Sequence, residues 1–137
     1  MPNIERPLLS DFLTSPKICR SFSLKDWELL IRHAQAAYLS SAVFSALKEN
    51  SLVGLIPEKA LDHLESEALM IKRQNDLFYF ELGKILAAIK DSTDNKILLK
   101  GAAYLALDLP WANTRRMADL DLLVEKSAIS LIEKVFA

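Results

Sequence analysis

Asp119 and Asp121 flank a single leucine in the run Arg115-Arg116-Met117-Ala118-Asp119-Leu120-Asp121-Leu122-Leu123-Val124, and Lys100-Gly101-Ala102 follows the apolar run Ile97-Leu98-Leu99. In an extended strand, residues two apart share a face and stand roughly 6.5–7 Å from each other. Asp119 and Asp121 are therefore expected to present two carboxylates side by side, with Leu120 and Leu122 on the opposite, buried face. Paired carboxylate oxygens suit a hard divalent cation such as magnesium. Two such ions about 3.5–4 Å apart can clamp the attacking and leaving oxygens of a phosphoryl displacement. Gly101 lets a backbone come close to a phosphate, and a helix starting there adds free amide donors and the positive end of its dipole. Lys100, Arg115 and Arg116 supply positive charge against a triphosphate, the arginines through forked donors. Singly, each feature is ordinary surface chemistry. Weight comes from their order: strand, glycine, small-residue helix, arginine-bearing loop, acid pair.

The elements that position these residues can be read from periodicity. A strand is predicted over 96–99, a helix over 101–108, a loop holding Pro110, Trp111 and Asn113, and a second strand over 119–124. A last helix begins near Ser127, which is placed to cap it, with Ile129, Leu131, Ile132, Val135 and Phe136 on its apolar side. Upstream, helical spacing dominates. Ser23 and Asp26 form a capping-box pattern before Trp27, Leu30, Ile31, Ala34 and Tyr38. Val43, Phe44 and Leu47 continue a similar face, with Ser40-Ser41 expected to bend or divide it. Residues 52–56 connect to a helix whose first turn suits Pro57. That helix is long: Leu61, Leu64, Ala68, Ile71, Asn75, Phe78, Leu82, Ile85 and Ile89 step by threes and fours, a heptad-like seam with Asn75 as its one polar member. Leu77, Tyr79 and Phe80 widen the apolar surface, which favours an intramolecular bundle and leaves a homo-oligomer through residues 61–89 open. A polar turn at 91–95 marks the expected boundary between a helical region, 1–92, and an α/β region, 93–137. The predicted fold class is α+β, mostly α.

Composition narrows the function classes. The 137 residues are 51% hydrophobic and 26% charged with net charge −1, room for one modest domain or a small domain and part of another. No basic block points to a nucleic-acid surface and no acidic tail appears. Cys19 is the sole cysteine, which excludes an internal disulfide and fits a reducing, cytoplasmic setting. No apolar run approaches the roughly 20 residues that span a bilayer. The start, MPNIERPLLSDF, has acids early and neither a basic opening nor an apolar core, so it does not read as a signal peptide. His33 and His63 are isolated, with helix-surface or capping roles expected. No Gly-x-Ser-x-Gly elbow and no Gly-x-x-x-x-Gly-Lys-Ser/Thr loop occurs.

The ordered set of residues 98–101 and 115–124 resembles the nucleotidyltransferase superfamily with a DNA polymerase β-like catalytic core. It is most similar to a bacterial and archaeal group with a leucine-rich strand, Lys-Gly, then Arg-x-x-x-Asp-x-Asp-x-Leu-Val, preceded by a helical region; here the resemblance extends from about residue 24. It implies transfer of a nucleoside monophosphate from a nucleoside triphosphate to an unknown acceptor, with release of pyrophosphate. Asp119 and Asp121 would hold two magnesium ions, and Gly101 with Lys100 and Ala102 would cradle the β and γ phosphates. Many relatives place a serine after that glycine; Ala102 offers backbone only. They also draw a third carboxylate from a later strand, and two strands make no independently stable sheet. The expectation is thus a truncated piece of a longer protein, weak or inert on its own. The rival reading from another class is a non-catalytic helical adaptor module with a vestigial nucleotidyltransferase segment.

Overall fold

The computed structural model describes residues 7–137. The reading of the chain's first six residues, including the early acid Glu5, lies outside the described residues. The chain is α+β and mostly helical. It divides into two compact units, one ending at Ile71 and the other comprising Lys72–Ala137. The polar turn at 91–95 falls inside the second unit, because Phe78 and Leu82 of the long helix share a core with Ala102, Leu105 and Ala112.

The first unit holds α1 (Leu8–Thr14), a 3-10 turn (Pro16–Ser21), α2 (Leu24–Ala36), α3 (Ser40–Glu49), a short turn (Val53–Leu55) and the first part of α4 (Glu58–Ala88). Its core gathers Phe12, Leu30, Ala34, Val43, Leu47 and Leu64, all at 0% exposure. Phe22 stacks edge-on against Trp27 at 5.4 Å between ring centroids. The capping box at α2 is complete. The Asp26 amide donates to Ser23 Oγ, and the Ser23 amide donates to Asp26 Oδ2 at 2.8 Å. Hydrogen bonds from the Ser23 hydroxyl, and then from its amide, hold the Asp26 carboxyl below the usual carboxylate range. Cys19 is buried, which pushes its thiol up despite Arg20 beside it.

Ser40-Ser41 does divide the segment: α2 stops at Ala36 and α3 begins at Ser40. The stop is made without glycine. Tyr38 takes φ 58°, its amide donates to Gln35 O and the Leu39 amide donates to Ala34 O, the paired bonds of a Schellman helix end. Ser51 after α3 and Asp108 in the second unit close their helices the same way, at φ 57° and 50°.

The second unit contains the rest of α4, β1 (Lys96–Leu98), α5 (Lys100–Ala106), a 3-10 turn (Ala112–Thr114), β2 (Leu122–Val124), a 3-10 turn (Lys126–Ala128) and α6 (Ile129–Phe136). β1 and β2 pair antiparallel in the register Lys96↔Val124, Ile97↔Leu123, Leu98↔Leu122. The heptad seam is largely inside: Leu64, Ile71, Asn75, Phe78 and Leu82 of α4 are buried, as is Ile89 just after its end. Leu77 and Phe80, which flank it, are 62% and 61% exposed. Ser127 sits within the 3-10 turn and does not cap α6; Ala128 takes the cap position and offers no side-chain bond. No helix among the described residues is long and apolar enough to cross a membrane.

Candidate active site

β1 ends at Leu98, and the chain then makes an abrupt entry into α5. Leu99 remains extended, whereas Lys100 takes φ 50°, the left-handed region that costs a non-glycine residue about 1–2 kcal/mol. The other three residues with positive φ each finish a helix; Lys100 begins one. Strain of this kind persists where the surroundings over-determine it and is enriched at functional sites.

Beside Lys100 lies Asp121, the second member of the acid pair. The regular strand β2 starts at Leu122, three residues later than the predicted 119–124, yet the ladder continues in one further bond: the Leu99 amide donates to Asp121 O at 3.0 Å. Lys100 Nζ then meets Asp121 Oδ2 at 3.0 Å. Thus backbone and side chain both join Asp121 to the start of α5. The pair is solvent-accessible, with side-chain exposures of 76% for Lys100 and 38% for Asp121, so its contribution to stability is small. Leu120 packs on the second core together with Met117 and Leu98, and Asp119 is exposed. The alternation of apolar in and acid out therefore holds across 119–121, although these residues precede the regular strand.

Gly101 and Ala102 are buried at the beginning of α5. The absence of a side chain at Gly101 makes room for Met117: a Cβ there would stand 2.6 Å from Met117 Sδ and 3.0 Å from its Cε. The glycine thus lets the loop before the acids lie directly on the helix start. Its φ is not positive, so close approach rather than a special turn explains it. The first amides of a helix have no partner within it, and here they belong to Lys100, Gly101 and Ala102.

The arginines separate. Both are exposed; the Arg115 amide closes the 3-10 turn on Ala112 O. Arg116 instead lines a pocket of about 380 Å³ with Gln74, Leu77, Phe78, Glu81, Met117 and Ala118. The α4 side of that pocket escaped the reading of the sequence, because Gln74 and Glu81 look like ordinary helix-surface polar residues until the loop lies against them. Next to it Asn75, 4% exposed, donates from Nδ2 to Asn113 O at 3.3 Å, so the polar member of the seam anchors the loop after α5. Tyr79 anchors α5 itself through a bond from its hydroxyl to Leu105 O at 2.7 Å.

Other candidates carry less chemistry. A larger pocket of about 690 Å³ lies in the first unit between α2 and the opening of α4. It holds none of the acids, glycine or cations described above. His63 on its wall is paired with Gln35, 2.6 Å from Nε2 to Nε2. Among the described residues no group of three or more His, Cys, Asp or Glu side chains could hold a metal ion.

A family model described as an uncharacterised nucleotidyltransferase matches residues 23–137, the greater part of both units. The chain belongs to that nucleotidyltransferase family. No curated protein and no solved structure matches it. Membership gives the strand–glycine–helix–acid arrangement a chemical context, since the matched span includes β1, α5, the acid loop and β2.

Proposed function

We propose that this nucleotidyltransferase moves a nucleoside monophosphate from a nucleoside triphosphate to an acceptor, on a polymerase β-like core and with divalent metal ions held by Asp119 and Asp121. The observation that carries this reading is the 3.0 Å contact between Lys100 Nζ and Asp121 Oδ2 beside the Gly101-led start of α5. An acid, a cation and the opening turn of a helix lie there within a few residues.

The donor set fits magnesium. Magnesium is commonly bound by one or two carboxylates, with substrate phosphates and waters completing its octahedron. Asp119 and Asp121 are both solvent-accessible and would supply those carboxylates. Such ions would neutralise charge on the phosphates and hold the attacking and leaving oxygens in line.

The chain's own groups do the rest. Amides at the start of α5 receive the β and γ phosphates, aided by the helix dipole. Ala102 contributes its amide alone. Lys100, which holds Asp121 at 3.0 Å, would turn its ammonium to the phosphates once Asp121 was engaged by a metal ion. Arg115 adds a second cation from the exposed edge. The acceptor hydroxyl oxygen bonds to the α-phosphorus and gives its proton to solvent as the α–β anhydride bond breaks, and pyrophosphate leaves with that bond's electron pair.

Thermal stability with magnesium and each nucleoside triphosphate tests the proposal. A ligand at 100 times its dissociation constant stabilises the folded state by about 2.7 kcal/mol. The expected result is a magnesium-dependent rise in melting temperature that Asp119→Asn with Asp121→Asn abolishes. No rise with any triphosphate, or a rise unchanged in the double variant, contradicts it.

A further inference from the structure

The pocket lined by Gln74, Phe78, Glu81, Arg116 and Met117 adjoins the start of α5 through one side chain. Met117 fills the space left open at Gly101 and also forms part of the pocket wall. At about 380 Å³ the cavity falls within the range that small-molecule sites occupy. Phe78, only 9% exposed, gives it an apolar floor.

One polar atom of this pocket is buried and unsatisfied by the protein, and two exposed charged side chains stand on its rim. Gln74 Oε1 is buried and has no hydrogen-bond partner, which is costly unless a donor reaches it. Glu81 and Arg116 line the same cavity without forming an ion pair; among the described residues the one ion pair is Lys100–Asp121. A carboxylate accepts only and a guanidinium donates only. Two acceptor groups and one forked donor, beside Phe78 and Met117, complement a flat ring with adjacent N–H groups followed by acceptors. Among nucleobases guanine carries that set: N1–H and the 2-amino group side by side, with O6 and N7 for a guanidinium. Adenine and cytosine have a single amino group, and uracil has one N–H between two carbonyls.

We infer that this pocket receives the base of the nucleotide and selects guanine. Glu81 and Gln74 accept from N1–H and the 2-amino group, and Arg116 donates to O6 and N7. The inference rests on the nucleotidyltransferase reading above and deepens it. It transfers Arg116 from the triphosphate to the base, leaving Lys100 and Arg115 to the phosphates.

Calorimetric binding to the whole chain tests it. GTP, ATP, UTP and inorganic tripolyphosphate are titrated with magnesium; guanosine and uridine are titrated without metal. GTP is expected to bind at least about tenfold more tightly than UTP, with guanosine ahead of uridine. Glu81→Gln, at an exposed helix position, and Gln74→Leu should each draw the GTP/UTP ratio toward one, with tripolyphosphate as the base-free reference. Equal affinity for all triphosphates, unaltered by either substitution, overturns the base assignment and leaves the phosphate site standing. Guanosine preference that depends on Gln74, without any tripolyphosphate binding, upholds the pocket and refutes the phosphate site. Loss of both overturns both.

Discussion

The two units use their apolar residues differently. In the first, the large side chains of Phe12, Leu30, Leu47 and Leu64 are fully enclosed, and an ordinary capping box starts the central helix. In the second, the enclosed cluster is smaller, Ile97 and Leu123 face each other across the sheet at 55% and 53% exposure, and α6 has no buried residue. Among the described residues, the second unit also holds the strained Lys100, the one ion pair and the two buried side-chain oxygens without a partner, Gln74 Oε1 and Asn75 Oδ1. One region is organised for packing. The other keeps more of its apolar and charged groups accessible, and strains its backbone at Lys100, beside Asp121.

The sharpest way to break this contrast is core truncation. Leu47→Ala, at a site with 0% exposure, should cost about 2–5 kcal/mol in denaturant unfolding. Ile97→Ala, on the open face of the sheet, should cost about 1 kcal/mol or less. Similar losses at both positions would mean that the sheet face is covered in solution and the contrast is false.

A smaller effect separates two helical glycines. A Cβ at Gly83 meets nothing within 4 Å, so Gly83→Ala should raise stability by about 0.5–1 kcal/mol. Gly101→Ala should show no such gain, because Met117 must first move away. Equal gains at both positions would mean that Met117 does not lie on Gly101.

Much of the architecture was legible from periodicity. The seam through Leu64, Ile71, Phe78 and Leu82 repeats often enough for its buried face to stand out, and Ser23 with Asp26 carries a capping signal in the residue types themselves. Short elements were harder: α1 has seven residues and the 3-10 turn Pro16–Ser21 six, too few for a period to emerge. The helix ends before residue 52 and near residue 108 could be placed from sequence; what did not show was the left-handed closure at Tyr38, Ser51 and Asp108, because none of the three is a glycine. At the site, the acid pair and the Lys100-Gly101 start could be read because their chemistry is local. Two other facts were invisible. Gly101 accommodates Met117, and Gln74 and Glu81 face the acid loop; both depend on segments distant in sequence meeting in space.

The central claim is that Asp119 and Asp121 form one site with the Gly101-led start of α5. Paramagnetic broadening tests it most directly: nuclear magnetic resonance of the isotopically labelled chain during titration with a manganese–triphosphate complex. The amides of residues 99–102 and 119–121 should broaden first and together, and Asp119→Asn with Asp121→Asn should remove the effect. Broadening centred elsewhere, or at the acids without the residues that open α5, would contradict the account.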